Sequence, residues 1–119
     1  MIDREHAATI TAEWLDAWNA HDAQRVVEHF HDVVVIRSPL AARWRPDSKG
    51  TLRGKDDVLS YYRDGLAGSQ GLRFSLVEVC RGIDEIAIVY RTDQDTLVVE
   101  SLRFGDDGLV HEVRVSRGE

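Results

Sequence analysis

Apolar residues recur at helical spacing along the first half of the chain and at alternate positions along the second. Ile10, Trp14 and Trp18 stand four apart, with Leu15 and Ala17 beside them, which puts both tryptophans on one face of a helix capped by Asp3. Asn19, Ala20 and His21 break that stripe. Asp22 is suited to cap a second, short helix that buries Val26, Val27 and Phe30 and ends at His31–Asp32. The β-branched run Val33–Ser38 reads as a strand stopped by Pro39. Residues 40–53 read as a loop holding a short strand at Thr51–Arg53. Lys55 to Leu66 reads as a third helix, with Val58, Leu59 and Tyr62 inward. The remainder is β, with strands near 72–82, 84–92, 96–105 and 109–117. Asp84-Glu85, Asp93-Gln94-Asp95 and Asp106-Asp107-Gly108 mark the hairpins between them. Helices followed by a run of antiparallel strands predict an α+β plan, with the helices on one face of a sheet.

Length and charge narrow the function classes. A chain of 119 residues is expected to form a single domain, 1–119, with enough buried surface for a real core. Its hydrophobic share of 43% argues against disorder. A net charge of −6, with no basic face, argues against nucleic-acid binding. Arg43, Trp44 and Arg45 are the nearest approach to such a face, and a solvated loop explains them. Cys80 is the only cysteine, which excludes an internal disulfide and a thiolate zinc site. The opening residues lack an apolar signal core and no apolar run approaches the roughly 18–20 residues of a membrane span. A soluble, cytoplasmic protein with no membrane partner is the expectation.

Four segments together carry a resemblance: Trp14–Asp22, Phe30–Pro39, the GKDDVLSYYRDGL run at 54–66 and the VESLRFGDDGLV run at 99–110. In that order they resemble the nuclear transport factor 2-like superfamily, in its SnoaL-like and ketosteroid-isomerase-like branch. The resemblance covers nearly the whole chain. It implies a cone-shaped barrel of three N-terminal helices packed on a curved, mainly antiparallel sheet, a largely apolar pocket, and homodimers formed through the sheet. It does not imply one activity, because the same cone hosts isomerases, dehydratases, epoxide hydrolases, cyclases and non-catalytic binders. Isomerase chemistry in this branch uses a carboxylate base and two acidic donors. The resemblance puts Ser38 where the base stands, Trp14 at the phenolic donor, Glu100 at the second donor and Tyr62 at the supporting tyrosine. Ser38 is no base at neutral pH without a partner, and an indole N–H is no useful acid. Steroid-type isomerisation by that mechanism is therefore not expected.

The remaining polar groups define a candidate site. Glu100 lies in the apolar run LVVESLRF, where a carboxylate is costly unless hydrogen-bonded or protonated, and desolvation would raise its pKa toward a range useful for proton transfer. Strand alternation groups Ile36 with Ser38, and Val98, Glu100, Leu102 and Phe104 together. It likewise groups His111, Val113, Val115 and Arg117, a face the resemblance turns inward. Glu100, Tyr62 and His111 are the expected catalytic groups, with His111 tuning Glu100. Trp14, Trp18, Ile36, Ser38, Tyr61, Val98, Leu102, Val113 and Arg117 are the expected ligand contacts, Arg117 toward an anionic group. Trp14 is expected on the cavity wall, Trp18 in the core, and Trp44 either over the pocket mouth or at a dimer contact. The opposite faces, with Val35, Arg37, Ser101, Arg103, Glu112 and Arg114, suit a dimer contact.

No metal or cofactor is expected. Glu28 and His31 have i, i+3 spacing but lack the second pair that a carboxylate-bridged site needs, and His29 and His31 do not share a face. Gly65, Gly68 and Gly71 form a turn rather than a phosphate cradle, and no dinucleotide or nucleophile motif is present. The leading expectation is a homodimer that binds a small hydrophobic molecule, with cofactor-free lyase, isomerase or hydrolase chemistry. The alternative is a non-catalytic binding or dimerisation module. A cavity above about 300 Å³ with Glu100 on its wall would favour the first, and a filled interior the second.

Overall fold

Asp3 opens the first helix, its carboxylate accepting the backbone N–H groups of Glu5 and His6. In the computed structural model, which describes all 119 residues, this helix (α1) runs Arg4–Asn19. Its buried side is Ala7, Thr11, Trp14, Ala17 and Trp18, with Ile10 at the margin. His21 takes a left-handed backbone (φ 57°) that turns the chain, and Asp22 caps α2, Ala23–Val26, by accepting the Arg25 N–H.

Two expectations shift at this point. The second helix stops at Val26 rather than at His31–Asp32, and the first strand (β1) begins at Phe30 and runs to Arg37. Phe30 pairs with Val110, so the ladder, not helical spacing, decides its state. Residues 40–53 are not all loop. A helix (α3) occupies Pro39–Trp44, followed by one 3₁₀ turn at Pro46–Ser48 and a short strand (β2) at Thr51–Arg53. Proline ends a strand, yet its fixed φ and missing N–H also fit the first helical turn. Pro39 does both, which makes four α-helices where three are expected.

The fourth helix (α4) runs Lys55–Ala67, burying Val58, Tyr61, Tyr62 and Leu66. Four strands follow, β3 (Ser75–Arg81), β4 (Glu85–Arg91), β5 (Leu97–Phe104) and β6 (Val110–Arg117). They join β1 and β2 in one curved, unclosed sheet of order β2-β1-β6-β5-β4-β3. All neighbours are antiparallel except β1 and β6, which run parallel. The α+β class and the curved, mainly antiparallel sheet thus match the expectation. No helix is long and apolar enough to cross a membrane.

One face of the sheet is covered by helices, with α1 against β3 and α4 against β1. That inner face buries Val34 and Ile36 on β1, Ile86, Ile88 and Tyr90 on β4, and Val98, Glu100, Leu102 and Phe104 on β5. On the outer face Arg37, Arg103 and Arg114 are exposed, while Val35, Ser101 and Glu112 are half-buried. Residues 72–74, expected to begin a strand, instead form an extended strap below α1. Asn19 donates from Nδ2 to the Phe74 carbonyl (3.0 Å) and accepts the Phe74 N–H at Oδ1 (2.7 Å), and His21 Nε2 meets the Leu72 carbonyl at 2.8 Å. The residues that break the helix therefore also fix a distant segment.

Replacing Asn19 with Ala leaves both Phe74 backbone groups without partners, at a cost of roughly 1–3 kcal/mol. Urea denaturation of the Asn19→Ala variant is expected to show this loss, with Leu72 and Phe74 amide protons exchanging faster.

Candidate functional site

Glu100 occupies the middle of β5, opposite Ile88 on β4 and Val115 on β6. It is 4% exposed, and its one hydrogen bond is at Oε2, which accepts the Tyr90 hydroxyl at 2.9 Å. Burial raises its pKa from the ordinary carboxylate value to about 7, against the opposing pull of the Tyr90 bond. Tyr90 comes from the inner face of β4, and both burial and the Glu100 carboxylate hold its phenol well above the ordinary value.

Three donors from α4 and α1 stand on the same cavity wall as this acid. Tyr62 is buried on α4 and its hydroxyl makes no hydrogen bond within the chain; burial, then the charge of Glu100, raises its pKa well above the usual value. Tyr61 is raised by burial too, with the nearby Ser38 side chain working in the opposite direction. Trp18 is 8% exposed, and its indole N–H is buried without a partner. An unpaired buried donor costs about 1–3 kcal/mol, so this arrangement favours an acceptor brought in from outside.

These groups border a cavity of about 680 Å³. Trp18, Ile36, Ser38, Tyr61, Tyr62, Glu100 and Arg117, all expected ligand contacts or catalytic groups, stand on its wall. Tyr90, Leu72, Phe74, Leu40, Arg43 and Val115 complete it, together with the turns at 68–71 and 92–96. Trp44 lies at its edge, 44% exposed and tilted against Tyr61 with ring centroids 5.8 Å apart. Gly65 makes that position available, because a Cβ there would come within 2.9 Å of the Trp44 ring.

Five expected contacts lie elsewhere. Trp14 and Trp18 exchange roles: Trp18 is on the cavity wall, whereas Trp14 is wedged between Phe74 and Tyr90 (centroids 6.0 and 5.2 Å). Trp14 and Leu102 border a separate, smaller crevice beside α2. Val98 and Val113 are fully buried core residues off the cavity wall. His111 does not reach Glu100. A β-bulge between the Arg103–Glu112 and Phe104–Val110 pairs inserts one extra residue, so Val110, not His111, shares the inner face with Val113.

His111 instead meets Asp107 (Nε2 to either carboxylate oxygen, 3.0 Å) and stacks on His31 at 4.4 Å, at the far end of β6. Asp107 is held below the ordinary carboxylate range by the Leu109 backbone N–H and by His111. The sequence spacing of Glu28, His29 and His31 gave no hint of this trio, since His31 comes from β1 and its two partners, four residues apart, from the distant start of β6. The Val33 N–H donates to His31 Nδ1 at 3.1 Å, which leaves the neutral ring's proton on Nε2, toward Asp107. Within the trio His111 and Asp107 are hydrogen-bonded, while His31 joins them by stacking on His111 and by its Nε2, 3.9 Å from Asp107. Tyr90 was the principal omission. The β4–β5 hairpin pairs Ile88 with Glu100 and Tyr90 with Val98, so register about the Asp93–Asp95 turn places Tyr90 diagonally from the carboxylate.

Known proteins support this architecture. A family model described as SnoaL-like domain matches residues 11–113. A SnoaL-like protein of unknown function from Burkholderia thailandensis is similar at 32% identity and a TM-score of 0.94, covering 99% of this chain and 98% of that one. SalBIII, an epoxide hydrolase/cyclase-like enzyme in pyran ring formation of salinomycin, is similar in fold (18% identity, TM-score 0.73, covering 99% and 95%). So is AclR, a putative hydroxylase from Streptomyces galilaeus (18% identity, TM-score 0.74, covering 97% and 80%). No curated protein matches the sequence.

The buried carboxyl sets a pH dependence of stability. The folded state holds the Glu100 proton more tightly than the unfolded chain, so the contribution is complete below about 4.5 and is lost as pH rises through about 7. Glu100→Gln keeps an acceptor for Tyr90 and removes the titration. Relative to wild type the variant is expected to gain on the order of 3 kcal/mol at pH 8 and little at pH 4.5, by denaturant titration at both values.

Proposed function

The chain belongs to the SnoaL-like family, and we propose that it binds a small, largely apolar metabolite in the Glu100 cavity and catalyses cofactor-free proton transfer next to a carbonyl group. The observation that carries this is one buried carboxyl, with a pKa near neutrality, on the wall of a cavity that also carries the unpartnered Trp18 indole N–H and the Tyr62 hydroxyl. A pKa of about 7 keeps both forms of Glu100 populated at neutral pH, which suits an acid–base group that must take a proton and return it.

In this mechanism the substrate carbonyl accepts hydrogen bonds from Tyr62 Oη and Trp18 Nε1. Glu100 removes the adjacent carbon-bound proton as charge develops on that oxygen. Donors already in place, in a site that excludes bulk water, favour the charged state over the neutral ground state. Tyr90 holds Oε2 and so orients the carboxylate, leaving Oε1 for the substrate. Return of the proton to another carbon gives isomerisation; delivery of it to a β-hydroxyl, whose C–O bond breaks to release water, gives elimination and restores the Glu100 carboxylate. Trp18 takes the donor role expected of Trp14, and His111 has no part. Ser38 stands near Tyr61 and serves to position that hydroxyl rather than as a base.

Small β-hydroxy ketones and enones are the compounds to screen. For any that is turned over, Glu100→Gln is expected to lower kcat by at least ~10²-fold, and Tyr62→Phe by roughly 10²-fold. The rate is expected to rise with pH through about 7 in wild type and not in the Gln variant. Undiminished turnover by Glu100→Gln would refute the assignment and favour a non-catalytic binding module.

Dimerisation belongs to the same proposal. The outer face presents Arg37, Arg103 and Arg114 beside half-buried Val35 and Glu112, a mixed surface that two copies meet through their sheets. Sedimentation equilibrium is expected to give twice the chain mass of 13.5 kDa, and Arg103→Glu to return the monomer.

A further inference from the structure

The mouth of the cavity already holds a carboxylate. Glu119 Oε2 meets Arg43 NH2 on α3 at 2.7 Å, and Glu119 Oε1 meets Arg117 Nε on β6 at 2.7 Å. All three side chains stand on the cavity wall. Two guanidinium groups from different elements thus converge on the two oxygens of one carboxylate, a geometry suited to the planar, directional donors of arginine. Arg117 is only 15% exposed, unusually buried for a group whose one acid partner is two residues away along the chain. Its charge works in a small way against the burial-driven rise of the Tyr61 and Tyr90 pKa values, and it shares the cavity wall with Glu100.

Register gives the distance to the reacting group. Glu100 pairs with Val115, and Arg117 is the next inner-face residue along β6, so it is a diagonal neighbour of Glu100 at roughly 7–8 Å between Cα atoms. The wall between is apolar, formed by Val115 and Ile36 with Leu40 nearby. Glu119 itself is weakly tethered. The last ladder hydrogen bond is that of the Gly118 N–H to the Leu97 carbonyl, and only the two ion pairs hold the side chain beyond it.

We propose that Arg43 and Arg117 form a clamp for the carboxylate of the ligand, that Glu119 fills this clamp when the cavity has no ligand, and that the ligand class is therefore a small carboxylic acid with an apolar body. The claim rests on the proposed ligand cavity and narrows its substrates from neutral carbonyl compounds to those carrying an anionic end. A ligand that enters carboxylate-first from the body of the pocket exchanges one acid for another on the same two guanidiniums. The exchange is close to balanced electrostatically, so selectivity comes from the apolar contacts that Glu119 cannot make.

Trp18 and Trp44 border the cavity and report its occupancy. Tryptophan fluorescence is titrated with 4-phenylbutanoate and, separately, with its uncharged methyl ester, in wild type, Glu119→Gln and Arg43→Gln. Wild type is expected to bind the acid at least fivefold more tightly than the ester. Glu119→Gln, which removes the competing anion, is expected to tighten the acid about tenfold and leave the ester unchanged. Arg43→Gln, a change at an exposed position on α3, is expected to erase the acid's advantage while the ester still binds; Arg117→Gln, with its fold checked by circular dichroism, should do the same. Equal affinities for acid and ester in wild type and Glu119→Gln would overturn the clamp and leave the cavity standing. If neither compound perturbs the fluorescence of any variant, the ligand cavity falls and the clamp falls with it.

Discussion

An aromatic wedge between α1 and the far half of the sheet governs the molecule. Trp14 packs on Phe74 and Tyr90, Phe74 lies 4.4 Å from Tyr90, and Trp18 bridges from Phe74 to Tyr62 at 4.8 Å. These large rings close the gap between helix and strands at one end. Asn19 and His21 hold the Leu72–Phe74 strap in place so that the wedge stays shut. An unclosed sheet with one end filled in this way retains open space at the other. The cavity is thus a consequence of where the bulk is spent, and Glu100 lies at the boundary between packed and open halves.

The same wedge fixes the electrostatics. Tyr90 contributes its ring to the packing and its hydroxyl to Glu100. With the rings excluding water, that single hydrogen bond is all that opposes desolvation of the carboxyl, and neutrality is where the balance falls. A second donor to Glu100 would pull its pKa back down; Tyr90 supplies the one it has. Acid–base competence and rigidity therefore come from one tyrosine.

Much of this was legible in the sequence because it rests on local pattern. Helical spacing identified α1 and α4, alternation identified β4, β5 and the inward Glu100, and β-hairpin turns identified the meander. What escaped depends on registers and ends. Trp14 and Trp18 share a helical face, and no periodicity says which of the two meets the open end of a sheet. His111 is parity-matched with Val113, yet one inserted residue at the bulge gives its place on the inner face to Val110. Pro39 stops a strand and starts a helix, and only the second role was hidden. The Arg43–Glu119–Arg117 bridge joins residues 76 positions apart through their side chains, beyond any local signal.

Strand order carries a consequence for how the chain acquires its structure. The β1–β2 pair and the β3–β4–β5 meander have no ladder between them; β6, last in chain order, is the sole strand bonded to both. During synthesis the two blocks must wait, each with an open edge, until β6 leaves the ribosome and slots between them. Such a topology loads its longest-range contacts onto the last event, which slows folding and leaves two unpaired edges available to other chains meanwhile. Nascent chains stalled before residue 110 are consequently the species on which a cell's holding chaperones would act.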